Sequence, residues 1–120
     1  TKGFTLVEVL IVVIIIGILA AIGIPQFAAS IEKAKGGEAR AGLGHIQTGE
    51  KVYYAENEFY TTTLSDLDIS LNERFWSFSI TTADSSSQYL ATATRSGGSR
   101  AGQTVTMDQV GAISGNWEFL

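Results

Sequence analysis

Glu8 is the residue best placed to do chemistry, because it stands alone at the entrance to sixteen consecutive Ala, Val, Ile, Leu and Gly residues, Val9 to Ile24. A charge carried into hydrocarbon costs roughly 2.5–3.5 kcal/mol even on lenient insertion scales, so a carboxylate here implies a cationic partner. The apolar run supplies none. The chemistry on offer is ion pairing, and the remaining reactive side chains do not suggest catalysis. His45 is the single histidine and there is no cysteine, which leaves no set of metal ligands and no base with a nucleophile beside it. Ser85-Ser86-Ser87 lacks the strained elbow that activates a serine. Asp66, Asp68, Asp84 and Asp108 do not form a calcium-ligand run and suit turns and caps. No enzyme, metal or cofactor is expected.

The element that must position Glu8 is a helix. Thr5 to Ile24 is twenty residues, about 30 Å at 1.5 Å per residue, which is enough to cross a membrane core. Pro25 cannot donate an amide hydrogen to the carbonyl of Ala21, so Gly17, Gly23 and Pro25 mark a stretch prone to kink or lose helicity. From Gln26 the pattern turns amphipathic. Ile31, Ala34, Ala39, Leu43, Ile46 and Tyr53 recur at three- and four-residue steps with one longer gap, and Glu32, Lys33, Lys35, Glu38, Arg40, Glu50 and Lys51 fall largely between them. The helix is expected to run to about Asn57. Gly36, Gly37, Gly42, Gly44 and Gly49 each weaken it by about 1 kcal/mol against Ala, so close packing on a sheet or on neighbouring subunits must account for them.

The C-terminal half reads as strands. Phe75 to Thr81 and Gln88 to Thr94 alternate in polarity around the turn-forming stretch Ala83 to Ser87, and Thr104 to Met107 and Ala112 to Ser114 suggest a second hairpin. The fold class is therefore α+β, a long N-terminal helix packed through its amphipathic half on an antiparallel sheet. Tyr53, Tyr54, Phe59 and Tyr60 at the helix end are expected to serve the core and not to conduct electrons. The formal charge of −4 and basic residues scattered along the chain make nucleic acid an unexpected principal partner. Arg95 and Arg100 flank Gly97-Gly98 without the Gly-Lys-Ser/Thr pattern of a phosphate cradle.

The stretch Lys2-Gly3-Phe4-Thr5-Leu6-Val7-Glu8 resembles the processing site of type IV prepilins, and the likeness is nearly continuous from Lys2 to Phe27. The resemblance implies that a prepilin peptidase cuts after Gly3 and methylates the new amine of Phe4. Residues 1–3 would then be a leader remnant, 4–27 a transmembrane and assembly helix, and 28–120 a periplasmic or surface pilin domain. Lys2 fits a cytoplasmic N-terminus. An ordinary secretory signal is cut after its apolar region, whereas this site precedes it and leaves the helix on the mature protein. In a bundle of copies, Glu8 of one subunit could neutralise the Phe4 amine of its neighbour; three uncut residues would displace that amine by about 4.5 Å along a helix.

Further expectations follow from the family. The protein would be a homo-oligomeric helical filament, held in the inner membrane before an inner-membrane assembly machinery moves it to the cell exterior for adhesion, twitching motility or DNA uptake. Many pilins close their C-terminal region with a disulfide, which this cysteine-free chain cannot do. The resemblance extends to pseudopilins, which form a periplasmic piston in type II secretion. A third class, an anchored binding or enzymatic domain, would need a convergent polar pocket that the sequence does not suggest.

Overall fold

The computed structural model describes residues 3–84 and 87–120. Thr1 and Lys2, and the serines at the centre of the expected first turn, lie outside the described residues.

Helix α1 spans Leu6–Asn57. It starts where it does because Thr5 and Glu8 cap each other: Thr5 Oγ1 accepts from the Glu8 amide at 3.1 Å, and the Thr5 amide donates to Glu8 Oε2 at 3.2 Å. This reciprocal capping box satisfies two amides that a helix N-terminus otherwise leaves unpaired. The helix ends with Glu58 in the left-handed region (φ 64°), its amide donating to the Tyr54 carbonyl at 2.8 Å. That single bond closes the last turn, in the manner usually given to glycine.

The chain divides into two units, the first ending at Lys33 and the second running Ala34–Leu120. In the first, the side chains of residues 3–31 are exposed except at Ala20 and Ala29, which are half-buried. Helicity continues through Gly17, Gly23 and Pro25. The segment is long and apolar enough to cross a membrane, with a mean hydropathy of 3.1 over its best window.

The second unit places four antiparallel strands against residues 36–53 of α1. Strands β1 (Trp76–Asp84), β2 (Gln88–Arg95), β3 (Thr104–Asp108) and β4 (Ile113–Ser114) form a meander in sequence order. Trp76 pairs with Arg95 and Thr94 with Thr104, and the register of β1 on β2 shifts between Ile80 and Thr82. Alternation does what the sequence requires of it: Trp76, Phe78 and Ile80 point inward while Ser77 and Ser79 point out. Both expected hairpins form. The β3–β4 turn is fixed by Asp108, whose Oδ1 accepts from the Val110 and Ala112 amides at 3.0 and 2.9 Å.

Helix residues Ala39, Leu43 and Ile46 meet Trp76, Phe78, Ile80, Ala91, Ala93 and Val105 in one core, with Leu67 and Trp117 closing its flanks. The Trp76 indole nitrogen donates to the Lys35 carbonyl at 2.8 Å. The expected amphipathic face needs correcting at its start, because Ile31 and Ala34 are exposed. Gly36, Gly42 and Gly49 carry the face instead. A Cβ on Gly36 would overlap the Trp117 ring, one on Gly42 the Phe78 ring, and one on Gly49 would press on Leu67 and Ile69 at 3.2 Å. Three glycines thus let the helix backbone sit directly on aromatic and branched side chains, while Gly37 and Gly44 face open space.

Candidate functional site

The N-terminal site is built on the first turn of α1. Gly3 and Phe4 precede the helix, and Phe4 is 88% exposed. Phe4, Glu8, Val9, Val12 and Val13 line one shallow groove of about 370 Å³. The structure thus brings together the two residues expected to act in assembly, whereas Gly17 and Pro25 lie further along the helix. Glu8 is exposed and sits at the third helical position, where the helix dipole favours a carboxylate. The capping role was readable as Thr5-x-x-Glu8, a spacing that the membrane reading of Glu8 passes over.

Two features of the Ala34–Leu120 unit escape sequence reasoning. The first is Glu50, expected on the polar side of the helix and found fully buried. Its Oε2 accepts from the Thr61 amide at 3.2 Å, while Oε1 and the Tyr89 hydroxyl find no hydrogen-bond partner among the described residues. Desolvation pushes the Glu50 carboxyl up from 4.5 to about 7; the Thr61 bond opposes this and the nearby Asp66 adds to it. Tyr89 is raised as well, first by burial and then by the charges of Glu50, Tyr60 and Asp108.

A stability slope follows. Between pH 4.5 and 7 the folded protein holds the Glu50 proton more tightly than the unfolded chain does, so stability falls as pH rises through this window, by on the order of 3 kcal/mol. Glu50→Gln keeps an acceptor for Thr61 and cannot ionise. Its melting temperature, followed by tryptophan fluorescence in detergent, is expected to change little across this window and to exceed the parent's at pH 8. A parent melting temperature that is level from pH 5 to 8 would contradict the assignment.

The second feature is a cationic cluster. Residues scattered in sequence converge on the Phe75 ring: Lys35 Nζ lies 4.5 Å from its centroid, the Arg74 guanidinium carbon 4.8 Å and that of Arg95 5.5 Å. Arg95, expected in a polar loop, is buried and donates to the Phe75 carbonyl at 3.0 Å and to the Ser96 carbonyl. Its guanidinium closes the sheet edge where β1 begins and β2 ends. No sequence signal marks it, because the pairing of Arg95 with Trp76 across two strands is revealed only by the register. His45 is exposed and Asp66 accepts from the Thr61 hydroxyl at 2.6 Å. Among the described residues no group of three or more acidic or imidazole side chains is arranged to hold a metal ion.

These features define a class: a helix apolar on every side, opened by one capped acid, continuing into a small α+β unit with a four-stranded meander. The profile described as "Type IV minor pilin ComP, DNA uptake sequence receptor" matches residues 25–106, and that of the prokaryotic N-terminal methylation motif matches residues 1–24. The type IV wide pilus major component PilA4 of Thermus thermophilus is 37% identical over 100 residues, covering 81% of this chain and 76% of that protein. The chain belongs to the type IV pilin family.

Other relatives match over little more than half of this chain. The type IV major pilin protein PilA of Myxococcus xanthus is 41% identical over 66 residues, 55% of this chain and 30% of that one. The type II secretion system core protein G of Aeromonas hydrophila is 35% identical over 72 residues, 60% of this chain and 50% of that one. The chain thus spans about a third and a half of these two proteins. The crystal structure of the non-core minor pilin PilV of Neisseria meningitidis shares the fold with a TM-score of 0.60, over 76% of this chain and 92% of that one, at 16% identity.

Proposed function

We propose that the chain is a structural subunit of a type IV pilus, cut after Gly3, methylated on Phe4, and polymerised through its N-terminal helices. The observation that carries this reading is the apolar surface from Leu6 to Ile24, exposed on every side of the helix with Glu8 as its only charge. Such a surface has to be covered by lipid or by copies of itself. The methylation-motif match over residues 1–24 supports the processing step and a prepilin peptidase as partner. Residues 4–27 serve as membrane and assembly helix and 28–120 as the displayed domain. The turn between Gly17 and Pro25, helical in the free chain, is where a loaded filament would lose helicity. Inner membrane first and extracellular filament afterwards is the location this reading requires.

The likeness to core protein G favours a second reading, a pseudopilin of type II secretion. A role in receiving DNA, which the description of the matched profile carries, does not suit a chain of net charge −4 as its main task. N-terminal peptide mass spectrometry on material sheared from producing cells separates the two structural readings. A methylated Phe4 terminus in the sheared fraction is the expected result. Protein confined to the membrane fraction with that same terminus would favour the pseudopilin, and a retained Gly3-Phe4 bond would remove the amine that Glu8 needs.

A further inference from the structure

The Ala34–Leu120 unit carries most of its cations at one end, where Arg100 is paired with Glu118 at 2.7 Å and Glu73 stands next to Arg74 in sequence. Five of its six Lys and Arg residues, Lys35, Arg40, Arg74, Arg95 and Arg100, gather where β1 begins and the chain ends. Phe75 lies beneath three of them, Arg40 donates to the Leu120 carbonyl at 3.0 Å, and Arg100 lies 4.8 Å from the Phe119 centroid. Towards the far end, residues 48–56 of α1 and the loop at 66–69 enclose a groove of about 320 Å³. Its walls include Val52, Leu67 and Ile69, and its rim carries three exposed carboxylates, Glu56, Asp66 and Asp68.

Along α1 the two ends stand well apart. Lys35 and Glu56 are separated by 21 helical residues, about 30 Å, far more than an arginine side chain spans. Yet they are matched in chemistry. A guanidinium carried on an aromatic ring presents charge at its tip and apolar surface behind it, and an acid-rimmed groove with aliphatic walls accepts both.

We propose that the cationic end of one subunit, led by Arg74, docks in the Glu56/Asp66/Asp68 groove of a second copy. The inference rests on the filament reading and adds to it a specificity contact between the Ala34–Leu120 units of two copies, separate from the helix bundle. Two different patches of one surface joined in this way form a heterologous contact, which propagates into an open helix and does not close into a dimer. Charge complementarity of this kind fixes register and partner choice more than it adds affinity. It also weakens as salt rises.

Charge exchange tests the contact on the full chain in producing cells. Arg74→Glu and Asp68→Arg are each expected to lower sheared filament about tenfold while membrane-fraction subunit stays level. The double variant Arg74→Glu/Asp68→Arg restores the opposite pairing, and at least half of the parent yield should return. Parent-like yields from both single variants would overturn the proposal. So would a double variant no better than the singles, an outcome that would assign Arg74 to anionic lipid or DNA. Failure of the filament reading looks different, because the parent itself would then shed no filament.

Discussion

Glu8→Gln is expected to leave the subunit at its normal level in the membrane fraction and to reduce sheared filament by a hundredfold or more. Glu8 has two possible duties, and this substitution separates them. In the free chain the carboxylate caps its own helix by accepting from the Thr5 amide. A glutamine preserves that bond, since either residue completes a capping box. What it removes is the charge. If Glu8 neutralises the Phe4 amine of a neighbouring subunit, the Gln variant leaves a buried ammonium uncompensated, which costs about 3–5 kcal/mol at every subunit interface. Glu8→Ala loses the cap too, typically about 1 kcal/mol, and should assemble no better. Insertion should improve slightly in both, because a charge no longer enters the bilayer. Normal filaments from the Gln variant would mean that Glu8 works only as a cap, and the amine-pairing account would be lost.

How much of this was legible depends on the physical range of each signal. The apolar run, its proline and the helix end at Asn57 are local properties, and so are the two hairpins, the first signalled by the turn composition of Ala83 to Ser87 and the second by Asp108 and Gly111. The capping box was also local, but it was masked by a stronger reading of the same residue. Glu50 was not legible. Position 50 belongs to the buried stripe by spacing, seven residues after Leu43 and four after Ile46, and only its charge argued for the surface; tertiary packing overrode that preference. The three cations on Phe75 come from α1, from the stretch before β1 and from the end of β2, and no linear pattern joins them. The glycines were half legible: their cost to the helix demanded close packing, but only the geometry separates Gly36, Gly42 and Gly49 from Gly37 and Gly44.

That separation predicts opposite signs for neighbouring substitutions of one residue type. Gly42→Leu puts a branched side chain into the volume of the Phe78 ring, which is itself buried between helix and sheet. The ring stands on β1, whose neighbouring residues are held in register by β2, so it has no exposed side to which it can retreat. Overpacking of this kind costs roughly 2–4 kcal/mol, even after about 1 kcal/mol of gained helix propensity is counted. Gly44→Ala meets no atom within 4 Å of its new Cβ. It keeps the propensity gain of about 1 kcal/mol and loses nothing. In a unit of this size 1 kcal/mol moves the melting temperature by about 4–8 °C. The Leu variant should therefore melt at least about 10 °C below the parent and the Ala variant about 5 °C above it. Both tryptophans, Trp76 and Trp117, lie in the core of the Ala34–Leu120 unit, so fluorescence of the full chain in detergent follows that unit alone. A Gly42→Leu protein that melts with the parent would show that the helix does not lie on Phe78, and with that contact would go the account of why this amphipathic face is written in glycine.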